Sequence, residues 1–307
     1  MKNTKTLKAF SLIELSIVIL IIGVLVAAIV KGQNLFKSIQ ISTARSVTNS
    51  SSVNSITGLK LWLEPVMEKS VTSTSIASGG DTADYGALTA GSGSWNDIRV
   101  TVNTNKINLT AAGTVTYVED GISGLPSLSF NGTNSAFTST SAPLLAKDST
   151  YSIAVVWRAN TGGGSGGTLF SQGGTGTNSL ADITLVASGL EFNSGANKTS
   201  SGVAVATNSA YVTIVTVNND NTSNVTIYNN SNTGVNTPTT DGLTNDNTTL
   251  SLGSNNVAIG KSLITTPAQY FFSGLVSEVI VFDKVLSSSE IAEVSSYLGQ
   301  KYSIKIN

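Results

Sequence analysis

The chain has no cysteine and no histidine, only five prolines, and charged side chains make up just 11% of its 307 residues. Without thiols or imidazoles it builds no disulfide, thiolate nucleophile, zinc finger or Ser-His-Asp triad. Seventeen basic against eighteen acidic residues give a net charge of −1, so the basic footprint of a nucleic-acid binder is missing and no nucleic-acid partner is expected. From about residue 46 onward Ser, Thr, Asn and Gly separate short apolar runs, a composition typical of secreted all-β surface proteins. The length is enough for one large β-sandwich with a substantial core.

Long apolar runs are equally scarce, with one exception. Residues 1–9, MKNTKTLKA, carry three lysines and no acid, and Phe10–Val30 then runs 21 residues with Glu14 as its only charge. As a helix that run spans about 30 Å, one hydrocarbon thickness. The basic leader favours the cytoplasmic side and puts everything after Lys31 across the membrane. An ordinary secretory signal has a shorter apolar core with a small-residue cut site after it. A plain anchor has no need of an acid near its start, and a carboxylate inside an apolar helix is costly and usually paired or functional.

The segment KAFSLIELSIVILIIGVLVAAI (8–29) closely resembles the N-terminal motif of bacterial type IV pilins and the pseudopilins of type II secretion. The resemblance implies cleavage by a prepilin peptidase between Ala9 and Phe10, followed by N-methylation of Phe10. Glu14 then becomes the fifth residue of the mature chain, paired with the α-amine of a neighbouring subunit's Phe10 and setting the register between stems. Breaking such a buried pair typically costs about 3–5 kcal/mol. Cleavage would remove Lys2, Lys5 and Lys8, leaving 14 basic against 18 acidic residues and a charge of −4. Two positions depart from the family: the leader ends in Ala9 where most members have Gly, and Lys31 replaces the Pro that many carry eight residues after the stem glycine, here Gly23.

After Lys31 the pattern is amphipathic, with Leu35, Phe36, Ile39 and Ile41 among polar residues, and the helix is expected to continue toward Arg45. The expected organisation is a leader (1–9), a stem helix (10–45), a polar linker SVTNSSSVNS (46–55) and a head (56–307).

The head contains strand-like runs: LKLWL (59–63), YSIAVVWR (151–158), ITLVA (183–187), YVTIVTVN (211–218), NVTIYNN (224–230) and LVSEVIVFD (275–283). Apolar residues on both faces of YSIAVVWR suit a central strand of a sandwich. Ser287 and Glu290 form a capping box for a short helix near the C-terminus, flanked by Leu286 and Ile291 as a hydrophobic staple, with Gly299 as its expected end. GLKLWLEP (58–65), GLPSLSFNGTNSAF (124–137) and YFFSGLVSEVIVFDKVLSSSEIAEVSSYLGQKY (270–302) resemble a laminin G-like, concanavalin A-like jelly roll. The expected fold is therefore mainly β: a helical stem followed by an antiparallel jelly-roll sandwich with a short C-terminal helix.

Chemistry is sparse. Retaining glycosidases need two carboxylates about 5–5.5 Å apart. Glu278 and Asp283 point to opposite faces of a strand, adjacent Glu119 and Asp120 diverge, and the closely spaced acids of jelly-roll glucanases are missing, so no enzyme is expected. NNDNTSN (218–224) and DGLTNDN (241–247) gather oxygen ligands of the kind calcium takes, but such clusters are also ordinary turn chemistry, and no cofactor is expected. TGGGSGG (161–167) reads as a flexible hairpin tip. Trp157 reads as core and Trp62 is ambiguous; Trp95 and Tyr85, in the loop-rich 79–97 segment, are the better candidates for exposed aromatics.

The resemblance implies a minor or specialised pilin whose head serves adhesion or ligand binding, with prepilin peptidase, other pilin stems and a glycan or surface ligand as partners. By the same resemblance the chain is expected to start in the bacterial inner membrane and to end in a filament at the periplasm or cell surface. A pseudopilin of a type II secretion-type system and a non-polymerising, membrane-tethered carbohydrate-binding protein are the alternatives.

Overall fold

The apolar run forms a helix, α1 (Leu12–Ser50), that passes through Gly23 without interruption. The computed structural model describes residues 12–73, 87–100, 106–139, 144–145, 150–160, 166–173, 180–186, 189–193, 198–200, 205–218, 224–231, 234–235, 239–242, 256–263 and 270–306. The chain divides into two units, Met1–Thr43 and Ala44–Asn307. In the first, the large apolar side chains of α1, from Leu12 to Ile39, are 51% to 87% exposed. They surround the helix on every side, the pattern of a helix hosted by a nonpolar medium.

The second unit begins inside the last turns of α1. Helix continues through residues 46–50, where a polar linker was expected, and a 3-10 turn, Ser52–Ser55, follows. Tertiary bonds overcome the poor propensity of this stretch. Arg45 Nε donates to Val66 O at 2.9 Å and Nη1 to Glu68 at 2.8 Å, while Thr48 is buried and donates back to Ala44 O. Ser51 caps the 3-10 turn by accepting from Val53 N, and Val53 is fully buried.

Among the described residues the strands are β1 (Leu59–Leu63), β2 (Val71–Ser73), β3 (Ala87–Leu88), β4 (Gly93–Trp95), β5 (Leu109–Ala112) and β6 (Val115–Val118). Next come β7 (Ser127–Asn131), β8 (Ala136–Ser139), β9 (Tyr151–Ala159), β10 (Gly167–Gly173), β11 (Leu180–Val186), β12 (Gly189–Asn193) and β13 (Lys198–Ser200). The last are β14 (Ala210–Asn218), β15 (Asn224–Ser231), β16 (Gly234–Val235), β17 (Thr239–Gly242), β18 (Val257–Ile259) and β19 (Ser273–Phe282), followed by helix α2 (Ser288–Tyr302).

They form two sheets. One runs β16-β15-β14-β9-β19-β7-β6-β3, with β1 also on β19 and β17 also on β15; the other runs β13-β12-β11-β10-β18-β8-β5-β4-β2. Every pairing among the described strands is antiparallel. The protein is mainly β, an antiparallel jelly-roll sandwich with a helix at each end of the chain.

Strand β9 lies between β14 and β19. Its Tyr151, Ile153, Val155 and Trp157 enter the core between the sheets, while Ser152, Ala154 and Val156 are buried on the other face. That outer face is where α2 packs, against β14 among others. The capping box is present: Ser287 Oγ accepts from Glu290 N, and Glu290 Oε2 accepts from Ser287 N at 2.9 Å.

Three expectations change. Helix α2 does not end at Gly299 but runs to Tyr302, where Ser303 adopts the left-handed cap. Gly299 is there because the returning chain leaves no room: an added Cβ would lie 2.4 Å from Ile306 Cγ1. The TGGGSGG run is no hairpin tip, because β9 and β10 belong to different sheets, so it links sheet to sheet; residues 161–165 lie outside the described residues. Trp95 is fully buried on β4, tilted against Phe137 at 5.7 Å, since its strand pairs with β2 and β5 and turns this face into the core.

Candidate functional site

The polar groups that matter most are hidden under α2. Along β19 the edge facing away from β9 changes neighbour: Ser273–Val276 pair with β7 and Val279–Phe282 with β1. At the change the register against β9 slips between Val276 and Glu278, a bulge. The slip reverses which side chains face inward, so Val276, Val279 and Val281 all reach the core between the sheets. Glu278 is left on the outer face, beneath α2. On β1, Leu61 and Leu63 point into that core, so Trp62 and then Glu64 fall on the same outer face as Glu278.

Helix α2 completes the group. Val294, Tyr297, Leu298 and Lys301 follow the spacing of one helical face, and all are buried. Lys301 Nζ donates to Glu278 Oε2 at 2.8 Å, contacts Glu64 Oε2, and lies 2.8 Å from Thr48 Oγ1 at the end of α1. The side chains of Lys301, Glu64 and Glu278 have no solvent exposure. Glu278 also accepts from Trp62 Nε1 (2.6 Å), Tyr297 OH (2.8 Å) and Tyr302 OH (3.0 Å). The Lys301 ammonium lies 5.4 Å and 5.3 Å from the ring centres of Tyr297 and Tyr302.

Two carboxyls share one ammonium, so the fully ionised node carries an excess negative charge with no solvent exposure to offset it. Burial accordingly pushes the Glu64 carboxyl up to about 7, with Lys301 pulling it down and the Glu278 charge pushing it further up. Burial works against the Lys301 charge, yet Glu278 and Glu64 together hold its pKa above the ordinary lysine value. The Tyr297 and Tyr302 phenols are pushed well up, by burial first and then by Glu278. A cleft of about 510 Å³ opens nearby, lined by Val47, Ser51, Glu293, Tyr297 and Gln300 among others, so Tyr297 belongs to both cleft and node.

A second buried carboxyl lies in the other sheet. Asp182 on β11 stands opposite Ser171 of β10 and accepts from Ser262 Oγ at 2.5 Å. Its Oδ1 has no hydrogen-bond partner among the described residues. Burial pushes it up to about 7, and the hydrogen bonds from Ser171 and Ser262 oppose that shift.

No protein-family model matches the chain, and no curated protein matches it. Solved structures do. Domain 4 of an extracellular arabinanase from Geobacillus stearothermophilus, in complex with arabinotriose, is 18% identical over 59% of this chain and 81% of that one, with a TM-score of 0.43. A sialidase carbohydrate-binding module from Ruminococcus gnavus, bound to sialyllactose, is 15% identical over 48% of this chain and 82% of its own, at 0.36. The binding domain of botulinum neurotoxin DC, in complex with rat synaptotagmin II, is 13% identical over 80% of this chain and 52% of its own, at 0.46. Each is a similarity of limited extent and assigns neither ligand nor activity to this chain.

Of the residues singled out from the sequence, Ala9, Phe10 and Tyr85 lie outside the described residues. Glu14 lies in the first turns of α1. The centres of both oxygen-rich loops, 219–223 and 243–247, are likewise outside the described residues; Asn218 and Asn224 pair as the ends of the β14–β15 hairpin. Among the described residues no group of three or more acids could hold a metal. Trp62 is fully buried and bonded to Glu278. Glu64, Lys301 and Thr48 were not anticipated. The signals for the first two were present: an acid ending the apolar run LKLWLE, and a lysine on the apolar face of α2.

Proposed function

We propose that this chain is a type IV pilin-like filament subunit, a minor or specialised pilin whose jelly-roll head serves adhesion or ligand binding outside the cytoplasm. The observation that carries this reading is α1, long and apolar enough to cross a membrane, with its described apolar side chains exposed all round. Such a surface is tolerated only in lipid or against other apolar helices. A stem that moves from membrane to filament meets both hosts in turn. The motif at 8–29 and the lone acid Glu14 support the second host, because an acid gains from a neighbour's amine there and gains nothing in lipid.

The head supports display of a polar face. On the outside of the second sheet, Thr72, Ser94, Thr110 and Thr138 stand in register across β2, β4, β5 and β8. Asn96 engages Thr72 and Ser94, while Thr110 is exposed and Thr138 half-buried. Hydroxyls about 4.8 Å apart from strand to strand suit a hydroxyl-rich ligand.

The test is the mature N-terminus. Protein from a host with a prepilin peptidase should begin at N-methylated Phe10, and protein from a peptidase-deficient host should retain residues 1–9. Retention in both hosts would overturn the proposal.

A further inference from the structure

The Lys301 node has features that a buried ion pair alone does not need. Its two carboxyls are unequally served. Glu278 accepts from four donors, Trp62, Tyr297, Tyr302 and Lys301. Glu64, by contrast, has an Oε1 that is buried and without a hydrogen-bond partner among the described residues. The proton that relieves the excess charge therefore belongs on Glu64, as its raised pKa also indicates. This leaves a neutral acid, an ammonium in contact with it, and a second carboxyl 2.8 Å from the same nitrogen, none of them exposed to solvent. An acid and an amine held together and dehydrated are in the arrangement from which an amide forms, and proximity of this kind replaces a large part of the barrier.

We propose that Lys301 Nζ and Glu64 Cδ condense into an intramolecular amide, with Glu278 as the proton carrier. The Lys301 ammonium gives one proton to Glu278 Oε2 and becomes a neutral amine. Its lone pair attacks Cδ of the protonated Glu64 carboxyl, forming the N–C bond and a tetrahedral centre. Glu278 carries a second proton from the nitrogen to a Glu64 hydroxyl, the C–O bond breaks, and water departs. The products are a secondary amide, one water and a neutral Glu278, so atoms and charge balance without an outside reagent. Trp62, Tyr297 and Tyr302 act as positioning residues, fixing Glu278 through hydrogen bonds.

The bond would join the residue that follows β1, the first strand of the head, to α2, its last helix, across 237 positions of sequence. Its consequence is mechanical: the C-terminal helix could not peel from the sheet while the backbone stays intact. The inference stands independently of the filament reading.

Mass spectrometry of the purified full chain tests it. The folded protein should be lighter than its sequence by one water, and digestion should yield a branched peptide joining Glu64 to Lys301. Glu278→Gln should abolish the branch, whereas Glu64→Gln, with Glu278 intact, should form the same amide with loss of ammonia in place of water. Peptide mapping reads the branch whether or not residues 1–9 are present, so its outcome is separable from that of the N-terminal test. Folded wild-type protein with its full mass, and Glu64 and Lys301 recovered in separate peptides, would overturn the proposal.

Discussion

The substitution Asp182→Asn should change how the stability of the head depends on pH. In the folded protein the Asp182 carboxyl is pushed from an ordinary 3.8 to about 7, chiefly by burial. The folded state therefore holds a proton that the unfolded chain releases between those values. A raised carboxyl pKa gives stability that is complete below the unfolded pKa and lost as pH climbs to the folded one. A shift of roughly three units corresponds to about 4 kcal/mol, lost between about pH 4 and pH 7. The amide of the variant carries no titratable proton. It keeps an oxygen to accept from Ser262, and its nitrogen occupies the unpartnered Oδ1 position at a cost that does not vary with pH. The assay is urea unfolding of both full-length proteins in detergent, followed by fluorescence of Trp62, Trp95 and Trp157, all in the head. The free-energy difference should move by about 4 kcal/mol in favour of the variant between about pH 4 and pH 8. Titration of any group other than Asp182 is common to both proteins and cancels from the difference. A difference that stays flat across that range would refute the reasoning.

Gly299→Ala should destabilise the head by about 1–3 kcal/mol, because the new methyl meets Ile306 and the Ile304 carbonyl under α2; thermal melting against wild type checks this. Glu14→Ala should leave membrane insertion intact while incorporation into sheared filaments falls at least about tenfold, consistent with about 3–5 kcal/mol for breaking a buried pair. Normal incorporation, read by immunoblot of the filament fraction, would remove the register role assigned to Glu14.

What the sequence could say depended on how local the physics was. The apolar run of α1, the capping box of Ser287 and Glu290, and the two-faced burial of β9 are set by neighbours a few residues apart, and each has the predicted form. Helix through residues 46–50 was not legible, because it depends on Arg45 meeting Val66 and Glu68 and on Thr48 meeting Glu64, not on propensity. Trp95 misled for the same reason: polar, glycine-rich surroundings look like loop until pairing with β2 and β5 turns its ring inward.

The sequence by itself determined the segment that seeks a nonpolar host, the lone acid within it, and the mainly β character of the head. Periodicity and charge content dictate those properties whatever the rest of the chain does. Only the tertiary structure decided that Glu64, Glu278 and Lys301 share one sealed site. That meeting depends on a one-residue bulge in β19, on β1 taking over its edge at that point, and on α2 running past Gly299 to Tyr302. Each is a small local event, and their coincidence in space cannot be read from residues as far apart as Glu64 and Lys301.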